Sequence, residues 1–278
     1  MSENGVSDAP VAIVIGGASG IGAATAQMLA ELGWHTILAD LNRVGGEATA
    51  ARIGNAEFIV TDVSNEAEVE AVVARAMARF GRLDCLVHSA GLVGATGTIL
   101  EMTGESWRKT NAVLFDSVFY AIKHTARAMA PANRGAIVVV SSIAGVVGGV
   151  GAHAYTAAKH GVIGLVKSAA SELAAMGITV NSVAPGSTVT PLVSSLRGSV
   201  EAAIQGSIDT SPLRRPIMPE DIARTILFFV GEGGRNITGQ TLVVDGGRMV
   251  AAGSGGPGAV NFHDKPAVFI PAVSQQAG

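Results

Sequence analysis

The sequence has little cysteine, few aromatic residues and little charge. Cys85 is the only cysteine among 278 residues, so no disulfide can form within one chain, and its apolar surroundings predict a small buried side chain. Charged residues make up 15% of the chain and the formal net charge is -3. No run of five like charges occurs. Neither nucleic acid nor an anionic membrane is therefore expected as a partner.

Long hydrophobic runs and targeting signals are also missing. Residues 1–10 are polar and lack both the basic start and the apolar stretch of a secretory signal. The most apolar region, residues 136–152, is interrupted by Ser141, Ser142 and several glycines and is too short to span a bilayer. The sequence predicts a cytoplasmic protein with no membrane association.

The sequence is rich in hydrophobic residues (48%) and contains 36 glycines. Short apolar runs alternate with longer segments of helical periodicity, which predicts a parallel sheet covered by helices on both faces. We expect one α/β domain over residues 1–250, with a Rossmann-type, doubly wound sheet of seven parallel strands. The predicted strands are residues 11–15, 35–39, 57–61, 85–88, 136–141, 179–184 and 241–244. The predicted helices are residues 22–32, 66–80, 104–130, 155–176 and 220–230.

Two segments lie outside this alternation. Residues 187–219 contain Pro191, Pro212 and Pro216, and we expect an irregular lid there. Residues 251–278 form a C-terminal extension that begins with glycine and serine and continues with apolar residues. We expect the extension to pack over the lid of its own or a neighbouring subunit.

A glycine-rich segment, VAIVIGGASGIG, joins the first predicted strand to the first helix. Gly16, Gly20 and Gly22 would allow the backbone to turn tightly and approach a pyrophosphate, which the N-terminus of the following helix attracts. Similar turns also occur for purely structural reasons. The segment therefore indicates a nucleotide site that needs support from elsewhere in the chain.

Asp40 supplies that support, because it ends the second strand 18 residues after Gly22, near the offset of a carboxylate that binds the adenosine ribose. A carboxylate there would repel the 2'-phosphate of NADP. No Arg or Lys occupies the glycine loop, and Leu41 follows Asp40. The sequence therefore predicts NAD as the cofactor, although Asp40 could instead only begin a polar turn with Asn42.

Tyr155 and Lys159 lie four residues apart in a predicted helix and so share one face of it. An ammonium near a phenol lowers the phenol's pKa from its usual value of about 10, and a phenolate can take a proton from an alcohol. Chance also produces such pairs, so the context matters. Ser142 follows an apolar strand, which places its hydroxyl at the carboxyl edge of the sheet, where ligands of open α/β folds bind.

Seven motifs together resemble, in the same order, those of the short-chain dehydrogenase/reductase family over residues 10–250. They are GGASGIG at 16–22, TDV at 61–63, GRLDCLVHSAG at 81–91, SS at 141–142, YTAAK at 155–159, NSVAPGSTVTP at 181–191 and TGQTLVVDGG at 238–247. The resemblance implies that Tyr155 is the catalytic base, that Lys159 activates it and binds the nicotinamide ribose, and that Ser142 holds the substrate oxygen.

The resemblance also implies a set of residues that bind the cofactor. Asp62 and Val63 would contact adenine, and Thr188 and Thr190 would hold the nicotinamide carboxamide. The full set is Gly16, Ser19, Gly20, Ile21, Gly22, Asp40, Leu41, Asp62, Val63, Ser89, Ala90, Gly91, Tyr155, Lys159, Pro185, Gly186, Thr188 and Thr190. No metal is expected.

The chain departs from the family pattern at two places near the predicted site. His88 and Ser89 replace two asparagines, the first of which ties neighbouring strands together, so we expect a structural substitution and no metal role for His88. Leu114 takes the position of the catalytic asparagine, which in the family holds a water that relays the proton beyond the lysine. Asn111 is three residues away, a displacement of about 5 Å, so it is left out of the catalytic set.

The segments expected to face the substrate, residues 92–100, 143–154 and 188–196, are nearly free of charge. The resemblance then implies an NAD-dependent dehydrogenase of bulky, apolar secondary alcohols, either cyclic, terpenoid or aromatic, that assembles as a homotetramer. Two alternatives stay open. One is an aromatic cis-dihydrodiol dehydrogenase, and the other is a non-catalytic NAD-binding redox sensor, which the loss of the asparagine at Leu114 favours.

Overall fold

The computed structural model describes residues 9–251, and these residues form one seven-stranded parallel sheet. The strand order is β3-β2-β1-β4-β5-β6-β7. The strands are β1 (Val11–Ile15), β2 (His35–Asp40), β3 (Ala56–Val60), β4 (Cys85–His88), β5 (Gly135–Val140), β6 (Ile178–Pro185) and β7 (Thr241–Val244). The predicted α/β fold with seven parallel strands is thus confirmed, and each predicted strand overlaps an observed one.

Helices cover both faces of the sheet. They are α1 (Gly20–Glu31), α2 (Arg43–Ile53), α3 (Glu66–Phe80), α4 (Gly104–Asn111), α5 (Ser117–Met129), α6 (His153–Leu173), α7 (Pro191–Arg197), α8 (Val200–Thr210), α9 (Pro219–Val230) and α10 (Arg248–Ala251). Apolar residues of α3, α5 and α6 form one core with the sheet, and those of α1 and α9 form a second core on the opposite face. Within residues 9–251, no helix combines the length and apolar character needed to cross a membrane.

The central strands explain the uninterrupted apolar runs of the sequence. All five residues of β1 are buried. Ile13 and Ile15 belong to the core formed with α3, α5 and α6, whereas Ala12 and Val14 belong to the other. Because a parallel strand between two helical layers is buried on both faces, each of its positions favours an apolar residue.

Helix α2 is absent from the sequence-based prediction. It contains the pair Gly45–Gly46 and has no strong apolar stripe, so periodicity alone does not reveal it. Asn42 caps the helix by accepting a hydrogen bond from the Gly45 N–H (3.1 Å). Gly46 packs directly against the Phe58 ring, where a Cβ atom would not fit. Capping and tertiary packing therefore produce this helix despite its low intrinsic propensity.

The expectation of an irregular segment at residues 187–219 is wrong, because most of that segment forms α7 and α8. Thr190 and Ser199 cap these helices by accepting hydrogen bonds from Val193 N (3.3 Å) and Ala202 N (3.0 Å). Pro191 occupies the first helical position of α7, where its missing N–H costs nothing. Pro191 therefore marks the start of a helix, as does Pro219, the first residue of α9.

The predicted helix at residues 104–130 is one helical path with a π turn inside it, at Ala112–Asp116 between α4 and α5. The π turn lies beside the cleft described below. The C-terminal extension at residues 252–278, including its expected packing over the lid, lies outside the described residues, as do residues 1–8.

Candidate active site

A cleft of about 420 Å³ opens at the carboxyl ends of the strands. It is centred where β1 and β4 are neighbours and the connections run in opposite directions, which is where open α/β sheets bind ligands. All the predicted site residues line it except Gly22. Leu92, Pro191, Leu192 and Val193 also line the cleft, and they lie in two of the segments expected to face the substrate, whereas no residue of the third segment, 143–154, lines it. The wall contains four further residues that the prediction did not assign to the site: Thr61, Val113, Val140 and Ser141.

The glycines of the loop between β1 and α1 are required by close backbone approaches. Gly16 has φ +78°, and a Cβ there would lie 2.5 Å from Ala90 N. Gly20 has φ +55° and faces Thr190, with 3.3 Å between its would-be Cβ and Thr190 Cγ2. Gly22 lies against the Gly16 carbonyl and has no space for a side chain. Gly22 therefore shapes the loop from behind, while the open backbone before α1 fits a pyrophosphate.

Asp40 is held in place at one end of the cleft. Its Oδ2 accepts a hydrogen bond from Ala18 N (3.1 Å), and its Oδ1 accepts one from Asn42 N (2.9 Å). The buried Thr49 hydroxyl donates to the carbonyl of the same Ala18 (3.0 Å). The N–H and the carbonyl of Ala18 are therefore both hydrogen-bonded, and the Asp40 carboxylate is oriented beside the glycine loop.

Asp62, in contrast, is turned into its own local loop. Its Oδ1 accepts hydrogen bonds from Ser64 N (2.9 Å) and Ser64 Oγ (2.7 Å). Its backbone N–H donates to Glu68 Oε2 (2.7 Å). The carboxylate of Asp62 thus stabilises a turn, and both Asp62 and Val63 line the cleft.

Ser142 and Tyr155 meet at the other end of the cleft. Ser142 follows β5 in an extended conformation (φ -169°) and caps a short 3-10 helix by accepting a hydrogen bond from Ala144 N (3.1 Å). Tyr155 lies in the first turn of α6. Burial raises the pKa of the Tyr155 phenol, and a hydrogen bond with the Ser142 hydroxyl acts in the opposite direction. The phenol is therefore protonated at neutral pH, contrary to the expectation of a lowered pKa.

Lys159 is buried one helical turn further along α6, with its Nζ 5.7 Å from the centroid of the Tyr155 ring. Its Nζ donates a hydrogen bond to the Val140 carbonyl (2.9 Å), and Ser141 Oγ donates to the Lys159 carbonyl (3.1 Å). Burial lowers the pKa of Lys159 to about 8. The amine is thus anchored to the end of β5 and still carries charge at neutral pH.

The departures from the family pattern have structural explanations. The buried His88 has its Nε2 3.0 Å from Ser117 Oγ, so it ties β4 to α5. No group of three His, Cys, Asp or Glu side chains in residues 9–251 is arranged to hold a metal ion. Leu114 is fully buried in the π turn, and Asn111 donates to the Trp107 carbonyl (2.9 Å). Asn111 therefore does not take over a position in the catalytic set.

Comparison with known proteins identifies the relatives of this arrangement. A family model described as enoyl-(acyl carrier protein) reductase matches residues 16–248. Momilactone A synthase of Oryza sativa subsp. japonica is 38% identical over 252 residues, which cover 88% of this chain and 92% of the relative. Cis-4-hydroxycyclohexanecarboxylate dehydrogenase of Sinomonas cyclohexanicum is 41% identical over 241 residues, 85% of this chain and 95% of the relative.

Solved structures agree with these relatives. The structure of actinorhodin polyketide ketoreductase with NADPH superimposes with a TM-score of 0.82 and 33% identity. The match covers 87% of this chain and 97% of the ketoreductase. The fold is therefore shared with a solved ketoreductase whose structure contains NADPH.

Proposed function

Because the chain belongs to the short-chain dehydrogenase/reductase family, we propose that it transfers a hydride between NAD and a bulky, apolar secondary alcohol or ketone. One observation carries the proposal. Ser142, Tyr155 and Lys159 line the same cleft as the glycine loop and Asp40, so groups for proton transfer and groups suited to a dinucleotide share one space. When bound, NAD supplies the hydride acceptor for alcohol oxidation.

Ser142, Tyr155 and Lys159 each have a separate role in proton transfer. The hydroxyls of Ser142 and Tyr155 would bind the substrate oxygen. In the oxidative direction the Tyr155 oxygen, as phenolate, takes the proton from the substrate hydroxyl, and in the reductive direction the phenol returns a proton to the carbonyl oxygen. Burial raises the pKa of the resting Tyr155 phenol, and a positive charge such as that of Lys159 stabilises the phenolate once the proton is shared with the substrate. The Val140 carbonyl holds that charge at the end of β5.

The charges around the cleft support NAD over NADP. Asp40 is fixed beside the glycine loop, where a carboxylate favours free ribose hydroxyls and repels a 2'-phosphate. Among the described residues that line the cleft, Lys159 is the only Lys or Arg, and it lies at the opposite end. Arg43, which is near Asp40 in sequence, pairs with Glu47 (3.3 Å). The ketoreductase structure contains NADPH, so the relatives alone do not decide the cofactor.

The walls beside Ser142 and Tyr155 support an apolar substrate. Leu92, Val113, Leu192 and Val193 contribute apolar side chains to the cleft that contains Ser142 and Tyr155. The relative from Sinomonas acts on a hydroxycyclohexane that carries a carboxylate. The described lining of this cleft offers that carboxylate no cation apart from Lys159. A cyclic alcohol without a charged substituent therefore fits better.

The experiment is a panel in which formation of reduced nicotinamide is followed by absorbance. Uncharged cyclic and terpenoid secondary alcohols, aromatic cis-dihydrodiols and cis-4-hydroxycyclohexanecarboxylate would each be tested with NAD and with NADP. We expect turnover of uncharged cyclic alcohols with NAD. Turnover with NADP alone would contradict the cofactor assignment. Preference for a dihydrodiol would make that diol the substrate class, and tight NAD binding without any turnover would favour a redox sensor.

We also propose that the protein works as a cytoplasmic homotetramer. A groove of about 390 Å³ between α5 and α6 is lined mainly by apolar side chains, including Phe119, Ile122 and Leu165. Phe119 is 47% exposed, and an apolar surface of this kind is typical of a protein interface. Light scattering after size-exclusion chromatography would give the mass of four chains, and a monomer would contradict the assembly.

A further inference from the structure

The π turn beside the cleft changes the hydrogen bonding of one carbonyl group. The Ser117 N–H donates to the Ala112 carbonyl, five residues earlier. In an α-helix the same N–H would donate to Val113, four residues earlier. The Ser117 hydroxyl takes its place and donates to the Val113 carbonyl at 2.7 Å. The side chain of Ser117 therefore compensates for the backbone bond that the π turn diverts.

The same hydroxyl also determines the state of His88. Ser117 Oγ has one proton, which is committed to the Val113 carbonyl, so its contact with His88 Nε2 (3.0 Å) requires the imidazole to be the donor. Nε2 of His88 therefore carries a proton, and because burial lowers the pKa of the imidazole to about 3, the side chain is neutral at pH 7 with that proton on Nε2. His88 and Ser117 are 1% and 0% exposed, so solvent cannot replace either partner. We name this chain from His88 through Ser117 to the Val113 carbonyl the π-turn brace.

The π-turn brace connects two parts of the cleft that are distant in sequence. His88 is the last residue of β4 and is followed by Ser89, Ala90 and Gly91, which line the cleft. At the other end, Val113 lines the same cleft as Ser142 and Tyr155. Leu114, the next residue, lies against Gly91, with 3.8 Å between its Cδ2 and a Cβ placed on that glycine. Movement of the π turn would therefore change the shape of the substrate pocket.

We propose that His88 and Ser117 are positioning residues, which fix the π turn so that Val113 and Leu114 hold the substrate-side wall in register with Ser142 and Tyr155. Neither side chain reaches the reacting atoms in this proposal, since both are buried behind the wall. The effect on turnover rests on the proposed alcohol dehydrogenase function. The effect on the π turn does not.

The test compares two variants of the full-length protein that each remove a buried hydroxyl from α5. Ser117→Ala breaks the π-turn brace. Thr125→Val is the matched control, because in the part of the chain that the structure describes the Thr125 hydroxyl is buried without a hydrogen-bond partner. Two further variants separate the loss of the His88 hydrogen-bond donor from a change in side-chain volume. His88→Gln keeps an N–H donor at about the reach of Nε2, whereas His88→Leu removes it.

Hydrogen exchange of the amides at residues 111–118 is the first readout and needs no substrate. We expect Ser117→Ala and His88→Leu to accelerate exchange about tenfold, the effect of losing a buried hydrogen bond, while His88→Gln and Thr125→Val stay near the parent protein. Equal exchange in Ser117→Ala and Thr125→Val would overturn the proposal. Hydrogen exchange can be measured even if the protein oxidises no alcohol. Failure of the proposed dehydrogenase function and failure of the positioning role of Ser117 can therefore be told apart.

Steady-state kinetics is the second readout. We expect kcat/KM for the alcohol to fall about tenfold in Ser117→Ala, since small displacements of a pocket wall already cost this much. The Kd for NAD should stay within about twofold in Ser117→Ala, because this variant releases the Val113 end of the brace while the Ser89 N–H stays bonded to the Ile15 carbonyl (2.8 Å). A loss confined to NAD affinity, or kinetics identical to those of Thr125→Val, would contradict a positioning role toward the substrate.

Discussion

The buried His88 predicts a specific loss of stability in mild acid. Its pKa is lowered from 6.5 to about 3, mainly by burial and secondly by the charge of Lys159. At pH 5, His88 is therefore protonated in the unfolded chain and unprotonated in the folded protein. The free energy of unfolding falls as the pH drops below 6.5. For these two pKa values, the cost to the folded state between pH 8 and pH 5 is about 2 kcal/mol.

Urea unfolding at pH 8 and pH 5 would measure this cost in the parent protein and in His88→Gln, at one fixed protein concentration. The glutamine cannot titrate, so the parent should lose about 2 kcal/mol more than the variant over this interval. The comparison cancels the acid sensitivity of carboxylates such as Asp84, whose pKa is lowered by its contacts with Arg82 and Val11. Equal losses in both proteins would refute the assignment of His88 as a neutral buried group.

Two substitutions at the dinucleotide end of the cleft have separable outcomes. Asp40→Ala should lower kcat/KM with NAD about tenfold, because it removes the acceptor for the ribose hydroxyls. It should also reduce the ratio of kcat/KM with NAD to kcat/KM with NADP, because the repulsion of a 2'-phosphate is lost. An unchanged ratio would contradict the role of this carboxylate. Thr49→Val should raise the Kd for NAD about three- to tenfold in a fluorescence titration, with kcat retained, since it leaves the buried Ala18 carbonyl without its donor. A Kd equal to that of the parent would show that the loop keeps its geometry without Thr49.

The sheet could be predicted from the sequence because strands buried on both faces have a direct signature. Val11–Ile15 is apolar throughout, Cys85–His88 is apolar up to its last residue, and both form strands with the predicted bounds. The candidate site could be predicted for a related reason. Asp40 is the last residue of β2, and Gly16 and Ser142 come just after β1 and β5. Parallel strands bring their carboxyl ends to one edge of the sheet.

Features that depend on distant contacts could not be predicted. Helix α2 rests on the packing of Gly46 against Phe58, which belongs to the next strand. The π turn involves Ser117 and a histidine 29 residues earlier in the chain. Lys159 binds the Val140 carbonyl, 19 residues away. Periodicity and capping patterns describe local preferences, and none of these contacts is local.

The central claim is that Tyr155 performs the proton transfer in an NAD-dependent dehydrogenase. The most direct test measures turnover of the best alcohol by Tyr155→Phe, with Tyr120→Phe as the control, because Tyr120 is the only other tyrosine and lies on α5 outside the cleft lining. We expect kcat to fall by about 10²–10⁴ in Tyr155→Phe, with NAD affinity retained, and to stay at the parent level in Tyr120→Phe. Normal turnover by Tyr155→Phe would contradict the account.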